Sequence, residues 1–498
     1  MNKLFLLLLV CLSGTSHALR LQILHVNDLH SYFEGTRDGK GGYARAKHLA
    51  DRLREKAKEE GMRTLFLDGG DFGEGTSFFL ADRGATSLEL LDALGIDATV
   101  IGNHDYLLGT DTLTDQMARS GLKAHVLSAN IDERTKAKLG GQIKDLVNFD
   151  IDGVRIGVLG LTTVELHYKY ALKDSATVRN PLKLVEPLEK RAREEKVDFL
   201  IALTHLGVAA DRAVVKKSTD LDLVVGGHSH TRLAEPVLEK NKSGRQIPIV
   251  QTGSHSMALG EFIVDINPET GGHELVSYTL HEITRDLPED EEVARLVQKA
   301  REARDAFTGR PFDEVIGETT VDLSGYVNGK NPGVTSCWGS HLARMTREAA
   351  AADVGLHIAN FEGELIPKGP IRYGDILDSF PHFRAYGDPG WEIVTVKMRG
   401  FYLKAILDVV SKKPGSFGMN LSGIEKVDGR YRIGGKKLNL FENYTLALPA
   451  EITLAIETTL PFTRRLIYKD RRKTNVFYWP AMEDYIRANS PLGCAEPR

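Results

Sequence analysis

Cysteine is nearly absent from this sequence. Three occur in 498 residues, and one of them, Cys11, falls in a leader segment expected to be removed. The two others, Cys337 and Cys494, cannot build a disulfide framework, and they exclude a zinc site made of thiolates. One bridge in an oxidising compartment and two free thiols both remain open on sequence grounds. Surplus positive charge is lacking too. Lys and Arg number 64 against 68 Asp and Glu, a net charge of −4, and there is no long basic run. That excludes the electrostatic footprint of a nucleic-acid polymer binder. Beyond the first residues no stretch stays apolar for about 18 positions, so no transmembrane segment is expected in the mature chain. Internal repeats and low-complexity tracts are also missing. What is present is ordinary globular composition in a chain too long for one hydrophobic core, which implies two domains.

The leader has three parts. Lys3 is a short positive region, Leu4 to Leu12 is an apolar run too short to span a bilayer, and Ser16-His17-Ala18 places small residues where a signal peptidase cuts. Residues 1–18 are therefore expected to be a signal peptide, with a mature start at Leu19 and export to the periplasm or the medium. The bulky Val10 before Cys11 argues against lipid attachment.

From Leu19 to about Arg285 short apolar strands alternate with helical segments. Strands are predicted at Leu21–Val26, Thr64–Leu67, Ala98–Ile101, Val154–Leu161 and Phe199–Leu203, and again where Leu221, Leu223, Val224 and Val225 approach Gly226-Gly227. Helices are predicted at Tyr43–Glu59, Ser87–Leu94 and Leu182–Lys196. Five of the strands run into a group of Gly, Asp, Asn or His. In α/β sheets ligands gather at the carboxyl ends of strands, so residues two hundred positions apart can meet at one edge. The charged segment from Pro288 to Gly309, with its stripe of Val293, Leu296 and Val297, is expected to form a linking helix. The remainder suggests a mixed α+β domain. Helices are predicted near Ser340–Ala352 and Phe401–Val410, strands at Val354–Ile358 and Glu392–Met398, and a hairpin over Tyr431–Asn439.

The polar residues at the strand ends are Asp28, His30, Asp71, Asn103, His205, His228 and His230. Two carboxylates, one amide and four imidazoles suit Zn, Mn, Fe, Co or Ni. Seven ligands are too many for one ion with an open position. They suit two divalent ions sharing a carboxylate, a pair that clamps both the attacking and the leaving oxygen in phosphoester hydrolysis.

The ordered set Asn27-Asp28-Leu29-His30, Gly70-Asp71, Gly102-Asn103-His104-Asp105, Thr204-His205 and Gly227-His228-Ser229-His230 resembles the calcineurin-like metallophosphoesterases, and within them the secreted 5′-nucleotidase family. The resemblance covers nearly the whole mature chain and is most specific in the first half. It implies an α/β fold: a four-layer α/β/β/α metallophosphoesterase sandwich plus a C-terminal α+β substrate-recognition domain. The segments would be 1–18 signal peptide, 19–285 dimetal domain, 286–309 linking helix and 310–498 5′-nucleotidase-type C-terminal domain. It implies that Asp28, His30 and His230 hold one metal, that Asn103, His205 and His228 hold the other, and that Asp71 bridges. The metals would be two divalent ions such as Zn, Mn, Co or Fe. The substrate would be a small phosphomonoester, a 5′-nucleotide or a related nucleotide compound, hydrolysed by metal-bound hydroxide as part of nucleotide catabolism. His104 would stabilise transition-state charge or protonate the leaving oxygen.

The departures from the family pattern fall on substrate handling. An aspartate usually pairs with the catalytic histidine from three residues on; here that position is Leu107, and Asp105 offers no evident replacement. The family's Asn-x-Gly-Gly-Ile-Arg segment corresponds to Asn360-Phe361-Glu362-Gly363-Glu364-Leu365, so its arginine is lost and two carboxylates that would repel phosphate are gained. Of the two base-stacking aromatics, Phe417 matches the first and Phe462 is a candidate for the second. Asn360 is a further substrate candidate, and Lys368, Arg372 and Arg384 lie near enough in sequence to supply positive charge. Two other readings stay open. One is a thiosulfohydrolase-like hydrolase acting on a carrier-bound sulfur group. The other is a binding protein with a degenerate substrate site.

Overall fold

The computed structural model describes residues 18–164, 178–323, 336–382, 388–412, 418–459 and 468–494. The leader, residues 1–17, lies outside them.

Among the described residues thirteen strands build the first half: β1 (Leu19–Val26), β2 (Arg63–Asp68), β3 (Ala98–Val100), β4 (His125–Leu127), β5 (Ile143–Lys144), β6 (Leu146–Ile151), β7 (Val154–Thr162), β8 (Phe199–His205), β9 (Leu223–Val225), β10 (Val237–Lys240), β11 (Gln246–Val250), β12 (Ala258–Ile266) and β13 (His273–Glu282). They form two sheets, one ordered β13-β12-β1-β2-β3-β4-β5 and the other β10-β11-β9-β8-β7-β6. The strands that carry the motifs are parallel neighbours: β1, β2 and β3 in one sheet, β8 and β9 in the other.

Side-chain alternation explains why these strands are apolar throughout. Leu21 and Ile23 of β1 face the second sheet, in a core shared with Leu65, Leu67, Ile201 and Leu203. Leu24 and Val26, one step out of phase, pack under helices instead. In β8, Phe199, Ile201 and Leu203 point to the shared core, and Leu200 and Ala202 to the opposite helical layer. Helix Tyr43–Glu59 covers the first sheet with Ala46, Leu49 and Ala50. Helices Val185–Glu194 and Val208–Lys217 cover the second with Val185, Leu188, Ala192, Val214 and Val215. The layers are α/β/β/α, as expected.

Boundaries moved where local chemistry overrode periodicity. The helix expected from Leu182 begins at Val185, after a 3-10 turn over Pro181–Lys183 capped by the Asn180 side chain. Strands β4 to β6 and β10 to β13 were not anticipated. β13 is largely solvent-facing, so it shows little of the apolar alternation that marks a strand. The charged segment forms helix Glu291–Thr308, capped by Asp290. Its apolar stripe of Val293, Val297 and Ala300 packs into the same layer as Leu49 and Ala50, on the first half of the chain.

The second half holds a five-stranded sheet. Its order is Met419–Ser422, Val354–Ile358, Asn443–Pro449, Glu392–Arg399 and Tyr468–Phe477. Helix Cys337–Ala349 starts three residues earlier than expected because the Ser336 hydroxyl accepts from Gly339 N at 2.8 Å. The expected hairpin is present, with Gly434 and Gly435 both at positive φ (55° and 74°) between Arg430–Ile433 and Lys436–Lys437. Cys337 and Cys494 form a disulfide, their Cα atoms 5.3 Å apart, which resolves the choice the sequence left open. Among the described residues no helix is long and apolar enough to cross a membrane.

Candidate metal centre

The carboxyl ends of β1, β2, β3, β8 and β9 converge. Close backbone approach makes this possible. A Cβ on Gly227 would lie 2.4 Å from Gly69 O, and one on Gly102 would lie 2.0 Å from Asp71 Oδ1. Only glycine lets the loops after β2, β3 and β9 meet. Five of the seven expected ligands hold left-handed backbone angles: Asp28 (φ 51°), His30 (49°), Asp71 (56°), His228 (78°) and His230 (49°). Side chains rarely adopt this region, and such outliers cluster where function demands a geometry that the surrounding structure enforces.

The side chains fall into two groups able to hold a cation, Asp28 with His30 and His230, and Asp71 with His205 and His228. Asn103 joins the second, its Oδ1 3.2 Å from His205 Nε2. Asp71 lies between the two groups, with Oδ2 3.0 Å from His205 Nε2 and 3.7 Å from His30 Nε2. In the first group Asp28 Oδ1 is 3.4 Å from His230 Nε2, and the Nε2 atoms of His30 and His230 are 3.1 Å apart.

The outer contacts fix which ring atoms face inward. His30 Nδ1 donates to Glu74 O at 2.6 Å and His205 Nδ1 donates to Gly69 O at 2.7 Å. Both rings therefore turn Nε2 toward the acceptor oxygens of the centre, the arrangement by which carbonyls orient metal-binding histidines. Burial holds His30 down to about 4, so it is the neutral ligand form. For His205 burial also works against charge, but the carboxylates of Asp71 and Asp28 outweigh it and raise the ring to about 10. Asp71 stays well below the usual carboxylate range: against the push of burial, His205, His104 and His30 favour its charged form. Nε2 of His205 thus faces Asp71 and Asn103 oxygens, an arrangement that needs positive charge at its centre. Nitrogen and oxygen donors without thiolate fit a divalent transition ion there.

Further contacts brace the loops. Asn27 Nδ2 donates to Asp28 Oδ2 at 2.6 Å and to Gly253 O at 2.7 Å. Asp105 accepts from the backbone N–H of Asp71, Gly73 and Gly102 at 2.8–2.9 Å, so it knits the β2 and β3 loops together. His104 N donates to Asp71 Oδ1 at 2.8 Å. The His104 ring donates from Nδ1 to Glu74 Oε2 at 2.8 Å. Burial disfavours its charge, yet Asp71 and Glu74 hold it up at about 9.

Residues 21–232 match the family of calcineurin-like phosphoesterases. Several of the relatives that this chain resembles are 5′-nucleotidases. Protein 5NUC of Lutzomyia longipalpis is 30% identical over 338 residues, covering 61% of this chain and 56% of the relative. The 5′-nucleotidase of Vibrio cholerae is 27% identical over 530 residues, covering 95% of this chain and 91% of that protein. The chain spans only 56% of the length of the Lutzomyia relative. A crystal structure of a 5′-nucleotidase precursor from Thermus thermophilus shares the fold, with a TM-score of 0.78 at 23% identity over 96% of this chain and 100% of that one.

The second half departs from expectation around Asn360–Leu365. Glu362 is buried, accepting from Ser336 Oγ at 2.8 Å and lying 3.4 Å from His357 Nε2. Glu364 is engaged by Tyr32 and Arg37. Glu362 is thus committed to packing partners, whereas Glu364 lines the cavity that also holds Arg372. Leu107 enters an apolar cluster with Phe79, Leu80, Trp338 and Phe380, which joins the two halves of the chain. Phe417, Phe462 and Arg384 lie outside the described residues, as does the side chain of Asn360, whose backbone is in the turn Ala359–Phe361. Arg372 lines a cavity of about 540 Å³ between the two halves, together with Arg37 and Arg304. Sequence reasoning missed Glu74 and His382. Neither sits at a strand end, and only the fold brings Glu74 to His104 and His382 to Glu74.

Proposed function

We propose that this protein is an exported, metal-dependent phosphoesterase that hydrolyses small phosphomonoesters, with 5′-nucleotides or related nucleotide compounds as the substrate class. The observation that carries this reading is the pair of donor groups joined by Asp71, built from strand ends of both sheets. Asp28, His30 and His230 would hold one ion, Asn103, His205 and His228 the other, and Asp71 both. When bound, two such ions acidify a coordinated water and neutralise phosphoryl charge. The chain's own residues do the rest. Gly69 O and Glu74 O hold the Nδ1 protons of His205 and His30, so that each presents Nε2. With Nδ1 of His104 committed to Glu74, Nε2 is the atom that meets a phosphoryl or leaving-group oxygen.

The relatives named as 5′-nucleotidases support the substrate class. The apolar leader and the Cys337–Cys494 bridge support export to an oxidising compartment. Separate sheets on either side of helix Glu291–Thr308 support a division at 19–285, 286–309 and 310–498. The test is a substrate panel of nucleotides, nucleotide sugars, cyclic nucleotides and sugar phosphates on protein reconstituted with Mn, Co or Zn. Phosphate release that disappears with a chelator is expected. Tight binding of two ions with no hydrolysis of any phosphoester would sink the reading.

A further inference from the structure

A histidine that acts on a phosphoryl group must be held. A free imidazole rotates about two bonds, and misplacement by about 1 Å costs on the order of 100-fold in rate. The residue three after His104 is Leu107, whose side chain is buried in apolar packing and offers no hydrogen bond. The ring is nonetheless held, from a different loop. Glu74, three residues beyond Asp71, is 1% exposed and places Oε2 2.8 Å from His104 Nδ1.

A buried carboxylate needs partners for both oxygens. Oε1 of Glu74 accepts from His382 Nδ1 at 3.1 Å. His382 belongs to the second half of the chain. Its Nε2 meets Phe361 O at 3.0 Å, and its ring stacks on Trp391, centroids 5.0 Å apart at 22°. Phe361 and Phe380 meet it edge-on. Second-half residues therefore fix the imidazole, and among the described residues its hydrogen bond to the first half goes to Glu74. The Glu74 backbone adds a third tie, since its carbonyl orients His30.

We infer that Glu74 is the positioning residue of His104, and that His382 holds the opposite oxygen of the same carboxylate, so that the acting histidine is set in place through a contact between the two halves of the chain. This rests on the phosphoesterase reading above and deepens it. Docking of the substrate-recognition half and readiness of His104 then become one event, because the carboxylate that orients one ring is itself pinned by the other.

The test uses the full-length zinc-loaded protein with Glu74→Ala, Glu74→Gln, His382→Phe, His104→Ala and the double variant His104→Ala/Glu74→Ala. Glu74→Ala is expected to lower kcat by about 10–100-fold with KM within about threefold and two ions still bound. Glu74→Gln, which keeps an acceptor of the same shape, should recover at least about tenfold of that loss. His382→Phe should lower kcat less than Glu74→Ala. In the His104→Ala background, removing Glu74 should cost nothing further, as expected of two residues acting as a unit. A second readout needs no turnover. The hydrogen-bonded Nδ1 proton of His104 should give a slowly exchanging downfield resonance that vanishes in Glu74→Ala. Additive losses in the double variant, or a resonance unmoved by Glu74→Ala, would overturn the inference. If no phosphoester is turned over, the functional proposal fails while the resonance still decides whether Glu74 holds the ring.

Discussion

Oδ2 of Asp71 lies 3.0 Å from Nε2 of His205, across the junction of the two sheets. One residue follows β2 in the first sheet and the other ends β8 in the second, and the same Asp71 oxygen is 3.7 Å from His30. A carboxylate in that position is the natural bridge between two cations. Asp71→Asn removes the shared charge and keeps the shape. Bound metal should fall from two ions per chain to one or none, and phosphate release by on the order of 100-fold or more. Elemental analysis of the purified variant checks this; two retained ions would count against the bridging role.

Asn27 is not among the expected metal ligands, yet it should matter. Its amide spans Asp28 Oδ2 and Gly253 O, while its Oδ1 accepts from Thr252 N at 2.7 Å and Thr252 Oγ1 at 2.9 Å. Asn27→Ala frees the Asp28 carboxylate and strands buried polar groups. Metal affinity should drop about 10–100-fold in a chelator competition. Stability should drop by about 1–3 kcal/mol in a denaturant titration.

The Cys337–Cys494 bridge joins the start of helix Cys337–Ala349 to the chain's C-terminal segment, across 157 residues. Reducing it, or replacing Cys494 with Ser, should cost about 2–5 kcal/mol. Because the bridge lies wholly in the second half, the two-ion content should not change. Denaturant midpoints with and without reductant measure the loss, and identical midpoints would show that the bridge does not stabilise the fold.

His25 gives the protein an acid weakness. It is fully buried on β1, stacked 5.9 Å from Tyr278, and neither ring nitrogen has a hydrogen-bond partner among the described residues. Burial pushes it from 6.5 to about 3. The unfolded chain takes up this proton below pH 6.5 and the folded chain does not. Its stability contribution is therefore intact above pH 6.5 and is lost as pH falls toward 3, by up to about 1.4 kcal/mol per pH unit. His25→Leu should flatten that limb of a stability–pH curve between about pH 6 and 4. An unchanged slope would assign the weakness to other groups.

Local pattern carried the metal centre a long way. Each motif follows a strand whose apolar run is unmistakable, and helix Tyr43–Glu59 begins and ends where its periodicity does. The hairpin glycines were equally plain, because a two-residue turn with positive φ at both positions needs them. Strand β13 escaped because solvent exposure erases its signal. The surroundings of Glu362 and Glu364 were not legible, because charge is visible in a sequence and burial is not. Their partners, Ser336 and His357 for one, Tyr32 and Arg37 for the other, are not adjacent in the chain.

The sequence by itself determined the kind of chemistry: which donors exist, that each stands at the end of a buried strand, and that no thiolate competes with them. Parallel strand order does the assembling, so the motifs needed no further information to imply one edge. Only the tertiary structure decided how His104 is held. Hydrogen bonds act over about 3 Å and ignore sequence distance. A carboxylate expected at position 107 could thus be supplied from position 74, and its second oxygen could be claimed by His382, 308 residues away.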